Sequence, residues 1–170
     1  MPISTELREF LTRDPSLVLD AEDLRKLDAK FRELDVDGDG EITRVELRRS
    51  LGAGHAAPFM TESRVDEYLR EMDLDGDGHV TFEEVASATA VRRVEALLAK
   101  IAREVTILDP DGDASEEAIR EPILDGLLEA IGLYDAPARA GVIATIERGA
   151  DGRVYPEQLA LAFFAVKSAQ

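Results

Sequence analysis

The sequence predicts an all-α protein, and three observations carry that expectation. A twelve-residue acidic segment recurs along the chain, starting at residues 35, 73, 109 and 147. Apolar residues flank each copy at three- and four-residue intervals, the period of a helix. No segment alternates apolar and polar residues for long enough to read as an extended strand.

The helical stripes follow in order. Leu24, Leu27, Phe31 and Leu34 share one face, with Asp20 placed to cap its start. After the first acidic segment, Thr43 and Glu46 form a capping box that leads into Leu47 and Leu51, and Gly52 and Gly54 end that helix. Val65, Tyr68, Leu69 and Met72 make the next stripe, and Thr81 with Glu84 repeats the box. Val94, Leu97, Leu98, Ile101 and Val105 precede the third segment; Ile123, Leu127, Leu128 and Ile131 follow it. Val142, Ile143 and Ile146 precede the fourth, and Leu159, Phe163 and Val166 come after it. Between Thr81 and Leu108 there is neither Gly nor Pro, yet helix propensity dips at Ser87–Thr89, and a break or bend is expected there. A short amphipathic helix over residues 4–12, ended by Asp14-Pro15, needs a surface to cover its Leu7, Phe10 and Leu11.

Composition narrows the function. The chain has 170 residues, a net charge of −16 and 45% hydrophobic residues, enough to bury a core and too many for a disordered acidic tail. The negative charge disfavours nucleic acid and anionic membrane as partners, since both would be repelled. With no cysteine there is no disulfide framework or thiolate zinc site, and His55 and His79 alone are too few for a catalytic zinc centre. Met1–Phe10 has no basic stretch leading into an apolar one, and the longest apolar run, Leu159–Val166, is far too short to span a bilayer. The expectation is a soluble cytoplasmic protein. No nucleophile elbow, phosphate-binding loop or metalloprotease motif is present, so an enzyme is not expected.

The acidic segments carry the chemistry. In the first, Asp35, Asp37 and Asp39 stand at alternate positions, followed by Gly40, Glu41, Ile42, Thr43 and a closing Glu46. In the second, Asp73, Asp75 and Asp77 are followed by Gly78, His79, Val80, Thr81 and Glu84. A hard cation of calcium's size takes six to eight oxygens at roughly 2.3–2.6 Å. The three aspartates supply short carboxylates from a tightly coiled backbone. Gly40 and Gly78 permit the sharp turn. Position 7 contributes only its carbonyl, so Glu41 and His79 are both acceptable there. Thr43 and Thr81 can hold a water, and Glu46 and Glu84 close the cage with two oxygens each. Two calcium sites are expected, with magnesium competing and affinities around 10⁻⁷–10⁻⁵ M.

The other two copies have decayed. The third keeps Asp109, Asp111 and Asp113, but Ala114 replaces the turn glycine, Glu116 takes the apolar position 8 and Arg120 the closing position. It reads either as a distorted third calcium site closed by Glu117 or Glu121, or as a solvated acidic turn. The fourth keeps Asp151, Gly152 and Val154, while Gly149 and Gln158 replace two acidic ligands, and no calcium is expected there.

These loops, complete at Asp35–Glu46 and Asp73–Glu84, resemble those of EF-hand proteins of the calmodulin superfamily. Size and decayed hands resemble the sarcoplasmic calcium-binding proteins and bacterial calerythrin-like proteins, over about residues 20–167. The resemblance implies four helix-loop-helix units in two pairs forming a compact globule. Residues 1–88 would hold the intact pair with an extra N-terminal helix, and residues 89–170 the degenerate pair. Ile42 and Val80, at position 8, would face each other across a short antiparallel bridge. It also implies a monomeric calcium buffer, or alternatively a sensor that exposes an apolar surface to a protein partner. Only three methionines and a helix able to fill a groove in cis favour the buffer.

Overall fold

Asp20 starts the first long helix as its position demands. Its Oδ1 accepts from the backbone N–H of Glu22 and of Asp23, both at 2.8 Å. These are two of the four donors that a helix start leaves unsatisfied. In a computed structural model that describes residues 3–51, 61–110 and 118–167, the described elements are helical apart from two short strands. They are α1 (Thr5–Arg13), α2 (Ala21–Leu34), β1 (Glu41–Ile42), α3 (Arg44–Leu51), α4 (Glu62–Met72), β2 (Val80–Thr81), α5 (Phe82–Leu108), α6 (Leu124–Ile131), α7 (Ala136–Thr145) and α8 (Pro156–Lys167). Tight helical turns cover Pro15–Leu17 and Glu121–Ile123. No helix among the described residues is long and apolar enough to cross a membrane. The expectations at Gly52, Gly54, His55, Asp111, Asp113, Ala114, Glu116 and Glu117 lie outside the described residues.

The chain divides into two compact units. One is Leu19–Ala90; the other combines Met1–Val18 with Val91–Gln170. α1 falls in the second of these units.

In the unit Leu19–Ala90, the stripes of α2 and α4 close on the two strands. Phe31, Ile42, Leu47, Val65 and Val80 form the buried cluster, with Leu34, Tyr68, Leu69, Met72, Phe82 and Val85 packed against it. Phe31 meets Phe82 edge to face, with ring centroids 5.9 Å apart, a favoured arrangement of two aromatic quadrupoles. β1 and β2 pair antiparallel with Ile42 opposite Val80, and both side chains are fully buried. Such a two-stranded ladder has too few hydrogen bonds to stand alone, and the apolar pair pins it to the core.

The other unit is built on the later part of α5 together with α6, α7 and α8. Val94, Leu98 and Ile101 of α5 are buried, as are Leu127 and Leu128 of α6, Val142 of α7, and Leu159 and Phe163 of α8, with α6 packed on α7 and α7 on α8. Gly132 ends α6 at φ 113°, a left-handed conformation that glycine adopts without penalty.

α5 corrects the expected break at Ser87–Thr89, since it is one helix of 27 residues. Thr89 Oγ1 donates to the carbonyl of Val85 at 2.7 Å, so the hydroxyl joins the ladder instead of competing with it. Ala86, Ser87, Ala88 and Ala90 are buried, and these small side chains gain packing that outweighs their modest propensity deficit.

Candidate calcium site

Each intact loop is folded by its own carboxylates before any ion is considered. Asp35 accepts from the N–H of Gly38 at 2.8 Å and of Gly40 at 3.0 Å. Asp37 accepts from Asp39 N–H at 3.3 Å, and Asp39 from Glu41 N–H at 3.0 Å. The second loop repeats the scheme, with Asp73 accepting from Gly76 at 2.7 Å and Gly78 at 3.0 Å, and Asp77 from His79 at 2.8 Å. These local bonds coil the backbone so that alternate aspartates converge. One ligand oxygen each from Asp35, Asp37 and Asp39 lie within 4.8 Å of one another, as do those of Asp73, Asp75 and Glu84.

The closing glutamates reach back across their loops. Glu46 Oε1 accepts from Val36 N–H at 2.8 Å and Asp37 N–H at 3.4 Å. Its Oε2 accepts from Thr43 N–H at 2.9 Å and Thr43 Oγ1–H at 2.7 Å. Glu84 does the same with Leu74 N–H at 2.8 Å, Asp75 N–H at 3.3 Å and both Thr81 donors. The Thr43 donors, and then those of Val36 and Asp37, outweigh desolvation and hold the Glu46 carboxyl at a pKa of about 2. Burial pulls Glu84 upward, but donors from Thr81 and Leu74 leave it below its ordinary value. Both groups are ionised at neutral pH, so no proton has to leave when a cation arrives.

The donor set is all oxygen and anionic, the chemistry that suits a hard divalent ion. Asp35, Asp37, Asp39 and Glu46 would hold one calcium, and Asp73, Asp75, Asp77 and Glu84 the other. Glu41 and His79 meet across the paired strands, with His79 Nδ1 3.2 Å from Glu41 Oε2. This contact joins the two loops and was not legible in the motif. Neither was the role of Gly38 and Gly76. Like Gly40 and Gly78, they have positive φ, between 75° and 91° across the four. The paired Asp-Gly dipeptides were the available signal. Nothing lies within 4 Å of a Cβ built on Gly40, so substitution there meets backbone strain and no clash. Gly40→Ala is expected to cost about 1–2 kcal/mol, weakening the first site about tenfold in a chelator-competition titration.

The decayed loops are different inside. Ile119 pairs with Val154 in an isolated antiparallel bridge, with Ile119 N–H donating to Val154 O at 2.7 Å. Val154 is position 8 of the fourth loop. The residue opposite it is Ile119, where the twelve-residue pattern placed Glu116. The bridge residue thus lies three positions beyond the one the pattern expects. The Arg120 guanidinium pairs with Asp109, the third loop's first carboxylate, whose side chain is only 7% exposed. In the fourth loop the Tyr155 hydroxyl donates to Asp151 Oδ2 at 2.7 Å, which together with Arg153 N–H lowers the Asp151 pKa. A Cβ on Gly149 would lie 2.7 Å from the Tyr155 ring, so the ring stands where a position-3 side chain would start.

A model of the EF-hand domain pair matches residues 24–90. Residues 24–90 are an EF-hand domain pair. No curated protein matches the chain. The matched span contains both complete loops and the Ile42–Val80 pairing, so the pair and its implied calcium binding rest on the same residues.

Proposed function

We propose that the chain is a monomeric, cytoplasmic calcium buffer of the kind represented by sarcoplasmic calcium-binding proteins and their calerythrin-like relatives. Two ions bind in the EF-hand pair, and residues 91–167 form a second, degenerate pair that takes none. The single observation behind this reading is the posture of Glu46 and Glu84. Each already spans from the start of its exit helix to the second and third residues of its loop. Glu46 and Glu84 would offer those oxygens to a bound ion with little travel of the exit helix. A sensor needs the opposite, because movement of that helix is what uncovers an apolar groove. The Ile119–Val154 bridge, counterpart of Ile42–Val80, supports a second pair. The engagement of Asp109 by Arg120, and of Asp151 by Tyr155, supports a capacity of two.

Fluorescence of a hydrophobic dye such as ANS tests the reading, recorded on metal-free protein and after calcium, with magnesium as control. A buffer leaves the signal unchanged or lowers it. A calcium-specific rise means newly exposed apolar surface, and would replace buffering with regulation of a protein partner.

A further inference from the structure

α3 and α4 are joined by more than the apolar cluster they share. Leu47 of α3 and Val65 of α4 lie in that cluster, and apolar contact has no direction of its own to fix one helix against another. Charged groups on the same two helices supply it. Arg44, in the first turn of α3, donates from Nε to Asp66 Oδ1 at 2.6 Å and from a terminal nitrogen to Glu62 Oε2 at 2.8 Å. Arg48, one turn further on, reaches the other oxygen of Glu62 at 2.9 Å. Glu62 and Asp66 are themselves one turn apart on α4. The four side chains are between 42% and 65% exposed, where a single ion pair adds little strength. One guanidinium forked across two carboxylates fixes geometry as well as attraction, so the clasp acts mainly on alignment.

This clasp stands between the two intact loops. Arg44 is in the same helical turn as Glu46, which closes the first loop. α4 ends at Met72, and its C-cap is Asp73, the first carboxylate of the second loop, whose N–H donates to Leu69 O at 2.8 Å. An ion that holds Glu46 therefore also stills Arg44, and Arg44 stills the helix that carries Asp73.

We infer that Arg44 is a positioning residue that couples the two calcium sites: its clasp on Glu62 and Asp66 orders Glu46 and Asp73 together, so that an ion in one loop tightens binding in the other. The coupling works by ordering and needs little movement. The first ion meets the cost of stilling α3 and α4, and the second finds them already ordered. It is reciprocal, and operates whichever loop fills first. The Ile42–Val80 ladder joins the loops on the strand side, and the clasp joins them on the helix side. The inference rests on the proposal that Asp35–Glu46 and Asp73–Glu84 bind calcium.

Calcium titration of the full chain against a competing chelator gives two stepwise constants, and their ratio, corrected for the statistical factor, measures the coupling. The wild type should bind its second ion at least about fivefold more tightly than its first. Arg44→Gln and Asp66→Asn should each lower that ratio about threefold. Lost charge alone predicts something else: removing a positive group strengthens binding nearby and removing a negative one weakens it, so electrostatics moves the first constant in opposite directions in the two variants. Arg44→Gln/Asp66→Asn should lose no more coupling than Arg44→Gln, because both changes break the same contact. Arg44→Glu/Asp66→Arg, which restores the pair with its charges exchanged, should recover the ratio to within about twofold of the wild type. A ratio unchanged in both single variants, or losses that add in the double variant, would overturn the inference and leave calcium binding standing. Two ions bound independently by the wild type would do the same. A chain that takes up no calcium would remove the inference and the proposed function together.

Discussion

Calcium at millimolar concentration should raise the melting temperature of the EF-hand pair by tens of degrees. Asp35, Asp37 and Asp39 bring ligand oxygens within 4.8 Å of one another, and in the metal-free state their charges repel. An ion that binds only the folded loop stabilises it by about 4 kcal/mol when present at 1,000 times its Kd, so two loops together contribute about 8 kcal/mol. In a unit the size of Leu19–Ala90, each kcal/mol moves the midpoint by roughly 4–8 °C. Scanning calorimetry in chelator and in calcium should therefore show one transition shifting by about 30 °C or more. Magnesium, which demands a tighter octahedral shell, should shift it less. An unchanged scan would remove the loops from the account.

The second large effect belongs to the closing glutamates. Glu46→Gln and Glu84→Gln should each cut calcium stoichiometry in titration calorimetry from two to one, and the double variant should bind none in the micromolar range. Removing one of four ligand charges beside a divalent ion is expected to weaken a site about 100- to 1,000-fold, or roughly 3–4 kcal/mol. The fold should survive, and the fourth loop supplies the reason. Gln158 stands at the same position, and its Oε1 accepts from Tyr155 N–H at 3.1 Å while α8 forms normally behind it. An amide thus keeps the helix start and loses the charge. If stoichiometry stays at two in both single variants, the ligand assignment is wrong.

The intact loops were legible because their chemistry is local. Asp35, Asp37, Asp39 and Glu46 lie within twelve consecutive residues, and the bonds that coil them run between neighbours, so spacing alone specifies geometry. The partner of the fourth loop was not legible for the converse reason. Its register depends on which residue meets Val154, a partner 35 positions beyond Ile119, and no local pattern announces that pairing. Helix α5 was misjudged at Ser87–Thr89 because propensity was weighed without the burial that overrides it there.

By itself, then, the sequence determined the helical class, the two complete loops, the capping boxes at Thr43 and Thr81, and the oxygen-rich cation chemistry. Each follows from short-range periodicity or from hydrogen bonds a few residues long. Only the tertiary structure decided that α5 is unbroken, that Arg120 answers Asp109, and that Ser4 and Arg8 find Glu157 and Glu95. Those outcomes depend on residues brought together from 11 to 153 positions apart. Burial and the longer pairings are properties of the packed chain; Asp109 and Arg120 do share a twelve-residue window, but the window does not say that one answers the other.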